Sequence, residues 1–341
     1  MAADRIGPLV AAWESKIRDA FLASIKEIRD AASVRKIVEL LKAGDTHGAL
    51  RAVGIDPARF RALDLALEQA YEAGGVDATL GIRPVRGPLG LRIAPVFDVR
   101  APAATTWLRR YTTDLITQIA EDQREMIRAH LAPLSNGLDP MITGNTPQKL
   151  ALDLVGRVSP ITGRREGGVL GLTSQQAQWA RNYEIELGDV MAKVPPSANA
   201  LTRTLRDRRF DRAVARAIRE GQPLPASTRQ AMVDAYRNRS LRYRAETIAV
   251  NEASATAHAS QIEAWTQAVG RGAVAEDKVR RYWITAGDDK VRPSHAAVPG
   301  MNREGVRLHS EFSTPKGPTM QPGWGFDPGC RCRVRIRILE T

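Results

Sequence analysis

The chain has 341 residues, a length that suits two or three domains. Its composition, 43% apolar and 26% charged, excludes wholesale disorder, and no apolar run nears the roughly 18 residues that span a bilayer. Fifty Lys and Arg against 38 acids give a net charge of +12, and two cysteines, Cys330 and Cys332, are too few for a disulfide scaffold.

The first residues, with Asp4 and Arg5, lack the charged head, apolar stretch and cleavage site of a secretory signal, so none is expected. Residues 1–78 read as an N-terminal region of several short helices. Trp13, Ile17, Phe21 and Ile28 recur at helical spacing, as do Phe60, Leu63, Leu67 and Tyr71. The second set should begin at Asp56-Pro57, an N-cap followed by a first-turn proline, and stop at Gly74-Gly75. Residues 79–135 read as an extended arm followed by a helix. Pro84, Pro88, Pro95 and Pro102 break up the arm, with Gly87 and Gly90 between them, and the helix should run from about Thr106 to Ala132.

Residues 136–226 form a middle helical region. It opens on the turn signals Asn136-Gly137 and Asp139-Pro140 and carries a basic loop with Gly163, Gly167, Gly168 and Gly171. Thr173 should cap the next helix, with Gln176 in capping-box position. The loop lacks the Gly-Lys-Ser/Thr ending of a phosphate-binding loop, which favours a mobile hinge or assembly loop over a nucleotide site. Residues 203–244 then hold 12 Arg, no Lys and four acids. Such a block suits a polyanion, and Arg203, Arg206, Arg208, Arg209, Arg212, Arg237, Arg239, Arg242 and Arg244 are its candidate contacts to nucleic acid or an acidic partner. A bias toward arginine, 41 of the 50 basic residues, explains the block equally well.

Residues 227–341 form the last region. A long helix is expected from about Ser227 to Val269, with Leu241, Ala245, Ile248, Ala255, Ala259 and Ile262 on one face. Short strands and turns follow. The closing stretch alternates Val334, Ile336 and Ile338 with Arg333, Arg335 and Arg337, the period of a strand with one apolar face. The expected fold class is α+β: mainly helical N-terminal and middle regions, and a long helix packed on a small, mostly antiparallel sheet in the C-terminal domain.

Within residues 240–336 the helix AETIAVNEASATAH, the run WITAGDDKVRPSH, Gly300, Phe312 with Pro315 and Gly317, and the closing CRCRV keep a distinctive order. This ordered set resembles the C-terminal domain of phage Mu protein F-like minor head proteins, also called phage head morphogenesis proteins. Gly329 stands where an asparagine often precedes the first cysteine, and Asn251-Glu252 where Thr-Glu is common. The resemblance implies a minor structural head protein of a tailed bacteriophage. It would be made in the host cytoplasm and placed in the virion head near the portal vertex. Its implied partners are the portal protein, the major capsid protein or scaffold, and packaged double-stranded DNA, with no membrane. The alternatives are a zinc-dependent nucleic-acid-binding protein and a virion-associated enzyme, either a nuclease or a toxin-like transferase.

The motif residues Trp283, Asp288, Arg292, His295, Cys330 and Cys332 hold what chemistry there is. Alternate residues of an extended segment point the same way, so Cys330 and Cys332 suit a structural zinc with His295 and His309, and Asp288 is a weaker ligand. Because C-x-C is tighter than the usual C-x₂₋₄-C spacing, a reduced structural pair is the favoured state over zinc, and a disulfide formed in the released virion is the third. An enzyme would use Asp288 or His295 as base and Cys332 as nucleophile. No nucleophile elbow, facing carboxylate pair or phosphate loop accompanies them, so no catalysis is expected, and Asp288 with Arg292 reads as a buried ion pair. Trp283 and Trp324 read as core residues, with stacking on bases the alternative.

Overall fold

Ile17, Phe21, Ile25 and Ile28 recur every three or four residues and all are buried, the stripe of an amphipathic helix. In the computed structural model, which describes residues 6–82, 85–86, 92–135, 146–160, 162–323, 327 and 329–339, they belong to one long helix, α1 (Ile6–Ala31). The expectation of short helices is corrected here, because neither proline nor glycine interrupts residues 9–31. Asp4, Arg5, Pro84, Gly87, Pro88, Gly90, Trp324 and the turn signals at 136–140 lie outside the described residues.

Helices α2 (Val34–Lys42) and α3 (Thr46–Val53) are short, capped by Ser33 and Asp45. Asp56 caps a 3₁₀ turn that leads into α4 (Arg61–Leu80). That helix does not stop at Gly74-Gly75. A Cβ on Gly74 would lie 2.2 Å from Ser260 Oγ and 3.2 Å from Ala257 Cα, and one on Gly75 would lie 2.3 Å from the Phe97 ring. The glycines serve close approach rather than termination. The arm carries an antiparallel pair, β1 (Val85–Arg86) with β2 (Arg92–Ile93), before α5 (Pro102–Ser135).

Next come α6 (Pro147–Val155), the hairpin β3 (Arg157–Val158) with β4 (Arg165–Glu166), and α7 (Ser174–Glu186). Thr173 and Gln176 form the expected capping box, each side chain accepting from the other's backbone N–H. Helix α8 (Asp211–Glu220) precedes α9 (Ala226–Gly270), one residue longer at each end than the pattern predicts. Strand β5 (Val279–Ile284), the short helices α10 (Pro293–Ala296) and α11 (Val298–Met301), and β6 (Arg333–Ile338) complete the α+β fold. Among the described residues, no helix is long and apolar enough to cross a membrane.

The chain divides into two compact units. One comprises Met1–Phe21, Ala62–Asp114 and Glu246–Thr341; the other comprises Leu22–Arg61 and Leu115–Ala245. In the first, Tyr71 stacks on Trp107 at 5.0 Å and Trp107 on Tyr111 at 4.6 Å. The Tyr111 hydroxyl donates to the Glu252 carboxyl, and burial pushes the Glu252 pKa up to about 7. Residues 251–258 of α9 are buried on every side, not on one face as expected. Their polar groups turn inward and are used, as the site below shows.

In the second unit, Tyr183 stacks on Tyr236 at 4.6 Å above Met232, Val233 and Leu224. Arg237, 3% exposed, donates to Asp153 Oδ1 at 2.9 Å, and Lys149 and Arg157 meet the same carboxylate. Burial raises the pKa of Asp153, but these three cations outweigh it and hold the carboxyl far below the usual carboxylate range. Beside this knot, side chains hold the second half of the glycine loop, from Gly167 to Leu172. The Gly168 and Leu170 carbonyls accept from Arg29, that of Gly167 from Arg237 and that of Gly171 from Arg244. Gln123 accepts from the Gly171 N–H and donates to the Leu172 carbonyl. Buried backbone needs such partners once helices and sheets do not supply them.

Candidate metal centre

Antiparallel pairing of β5 with β6 sets Trp283 opposite Val334, and both are buried. Trp283 meets the Phe312 ring edge-on at 5.5 Å, so its expected core role holds. The C-x-C segment enters β6 directly. Its parity turns Cys330 and Cys332 inward, 3% and 4% exposed, while Arg331 between them is exposed.

Helix α9 holds this segment at both ends. The Gly329 N–H donates to Asn251 Oδ1 at 2.6 Å, and the Val334 N–H donates to His258 Nε2 at 3.2 Å. His258 Nε2 is therefore an acceptor, and its Nδ1 lies 3.3 Å from Ser254 Oγ. These are the inward-facing polar residues of α9. Asn251 and His258 stood in a quoted motif, but helical spacing alone gave them no partner.

Pro293 starts the short helix α10, whose His295 is buried against the cysteines. His295 Nδ1 lies 3.3 Å from Cys330 Sγ and 3.5 Å from Cys332 Sγ. Its Nε2 lies 2.7 Å from Asp327 Oδ2, and Lys316 Nζ donates to both Asp327 oxygens at 2.8 and 2.7 Å. Lys316 holds the Asp327 carboxyl below its ordinary range, with His295 adding to the effect. An ionised carboxylate only accepts, so His295 gives it a proton from Nε2 and turns Nδ1 toward the two sulfurs.

The sulfurs are unequal. Interaction with Cys330 draws the Cys332 thiol below its ordinary range, with help from the Ala286 N–H and the Arg292 charge. The same interaction, with burial, pushes the Cys330 thiol up.

His295, Cys330 and Cys332 offer ligand atoms that all lie within 4.8 Å of one another, so this buried cluster could hold a metal ion. Tetrahedral zinc with nitrogen at 2.0–2.1 Å and sulfur at 2.3 Å has an N···S edge of about 3.6 Å. The observed 3.3 and 3.5 Å are close to that edge. Asp327 on the far ring nitrogen is the outer-shell carboxylate that fixes a ligating imidazole. Asp327 went unassigned from sequence, although it stands only three residues before Cys330.

Other expectations are corrected. His309 is exposed, 3.5 Å from Thr266 Oγ1, and does not join the cluster. Asp288 and Arg292 are exposed and form no buried pair; Asp288 instead accepts from Arg331 at 3.0 Å. The reason is local: Asp288 accepts from the Lys290 N–H in a surface turn, which aims its carboxylate at Arg331.

The arginine block is not a uniform surface. Arg237 and Arg244 are buried and cannot face a partner. Arg203 forks onto Glu186, Arg206 onto Asp211, and Arg209 and Arg239 share the buried Asp207. Arg208, Arg212 and Arg242 are exposed. The chain matches no known family model, no curated protein and no solved structure.

Proposed function

We propose that this chain is a non-catalytic minor head protein of a tailed bacteriophage, linking portal, capsid interior and packaged DNA, with a structural zinc in its C-terminal region. The carrying observation is convergence. Asn251 and His258 of the long helix, Trp283, His295, Phe312 and the two cysteines come from well-separated stretches of the resembling segment, and they meet in one buried core. The resemblance therefore rests on residues that build a shared interior.

Burial of both thiols supports a structural role over a catalytic one, because a nucleophile must reach its substrate. Cys330, Cys332 and His295 would supply three of the four ligands of a tetrahedral zinc, and Asp327 would keep the imidazole in the ligating tautomer. The metal's contribution is to tie β6 to α10 across a loop-rich region. Arg208, Arg212 and Arg242 would face DNA or an acidic portal surface.

Two measurements test this. Elemental analysis of the purified chain is expected to find about one zinc per molecule, lost in Cys332→Ser and His295→Ala but kept in His309→Ala. Stripping the metal should lower the melting temperature by about 5–10 °C. A metal-free chain with unaltered melting after chelation refutes the zinc. Immunoblotting of purified virions should detect the protein in a few copies, and virions that lack it refute the head assignment.

A further inference from the structure

Trp179 on α7 is 38% exposed, although a neighbour on the same helix, Tyr183, is fully buried. The indole lines a cavity of about 440 Å³ in the second unit, together with Tyr236, Asn199, Thr202 and the Arg203–Glu186 pair. That volume falls in the range of small-molecule sites, roughly 300–1,000 Å³. The guanidinium of Arg203 bonds through Nε to Glu186 Oε2 at 2.9 Å and through Nη2 to the other carboxylate oxygen. Its charge is thereby matched within the cavity, so a bare phosphate gains little there.

What remains is an aromatic ring, a charge-neutral pair, the Asn199 amide and, as an acceptor only, the Thr202 hydroxyl, whose proton goes to the Asn199 carbonyl at 2.8 Å. This set suits a flat, uncharged heterocycle with donors and acceptors on its edge. Leu205 closes the wall, and the exposed Arg208 follows three residues later, within about 11 Å of chain. Arg212 is exposed a turn further along. A ring-lined cavity followed closely along the chain by exposed cations is an arrangement that can stack a base and track its backbone.

We propose that this cavity takes one unpaired base of a single-stranded nucleic acid, with the flanking phosphates on Arg208 and Arg212. The inference rests on the nucleic-acid half of the function proposed above. It goes further by selecting strand state, because a base inside a duplex is stacked and paired and cannot enter.

The test uses the full chain with a fluorescein-labelled ten-nucleotide oligothymidylate and a duplex of equal length, followed by anisotropy. The single strand is expected to bind more tightly. Trp179→Ala should weaken it about tenfold or more while leaving duplex binding unchanged. Trp179→Phe, which keeps a stacking face, should retain most of the affinity. Thymidine replaced by 5-iodouridine should photocrosslink to the segment containing Trp179. Equal binding of Trp179→Ala and the parent, with salt-dependent DNA binding intact, overturns the pocket but spares the wider reading. Failure to bind either nucleic acid overturns both. Saturable binding of N-acetylphenylalaninamide that oligonucleotide does not displace reassigns the cavity to a peptide side chain and overturns the proposal.

Discussion

Arg29, Arg237, Arg244 and Arg281 are at most 6% exposed, and each spends guanidinium donors on main-chain carbonyls. Arg281 shows the pattern in full. Its Nη1 donates to Met320 O at 2.7 Å, its Nη2 to Ser310 O and its Nε to Arg307 O at 3.4 Å, with the Phe312 ring 5.0 Å from the guanidinium carbon. Burial lowers the pKa of Arg281 to about 10, which leaves it charged at neutral pH. A lysine there offers one nitrogen where three directions are needed. Arg281→Lys should therefore cost about 2–4 kcal/mol and lower the melting temperature by about 5–10 °C, measured by calorimetry. Arg242→Lys, on an exposed position, should stay within about 0.5 kcal/mol of the parent. A silent Arg281→Lys would show that water serves those carbonyls equally well. Charge counting could not separate these arginines. A guanidinium aimed at a carbonyl and one aimed at solvent add the same +1 to the sum.

At the scale of elements, legibility followed the distance over which each signal acts. The Thr173–Gln176 capping box spans three residues and was readable as written. The ends of α9 were readable within one residue, because they lie in turns built from their own sequence. Gly74-Gly75 was misread because its cause lies on another helix: Ala257 and Ser260 press where a side chain would stand. Asp327 went unseen for a similar reason, its partner His295 being 32 residues away. The glycine contrast is testable. Gly74→Ala should destabilise by about 1–3 kcal/mol, since the backbone Cα of Ala257 cannot rotate aside as a side chain can. Gly270→Ala meets no atom within 4 Å at the end of α9 and should stabilise by up to about 1 kcal/mol. Urea denaturation of both variants checks the pair. Equal effects at the two sites would mean that helix propensity, not close approach, governs Gly74.

For the whole molecule, two buried groups impose opposite pH dependences. Burial raises the Glu252 pKa from 4.5 to about 7, so the folded chain holds a proton that the unfolded chain releases between those values. Stability from this group is therefore lost as pH rises from about 4.5 to 7 and is level above. Burial lowers the His130 pKa from 6.5 to about 4, so the unfolded chain takes up a proton first as pH falls. Its contribution is present above pH 6.5 and is lost on the way down to 4. The windows overlap, and the parent conceals both slopes by opposing them. Single variants separate them. Glu252→Gln keeps an oxygen for the Tyr111 hydroxyl and should match the parent near pH 4, then exceed it by up to about 3 kcal/mol at pH 8. His130→Gln should gain on the parent only as pH falls below 6.5. Thermal unfolding from pH 4 to 9 reads both differences. A Glu252→Gln difference that stays constant across that range would mean the carboxyl keeps its ordinary pKa. Water would then reach the centre of α9, which the burial of residues 251–258 on every side does not permit.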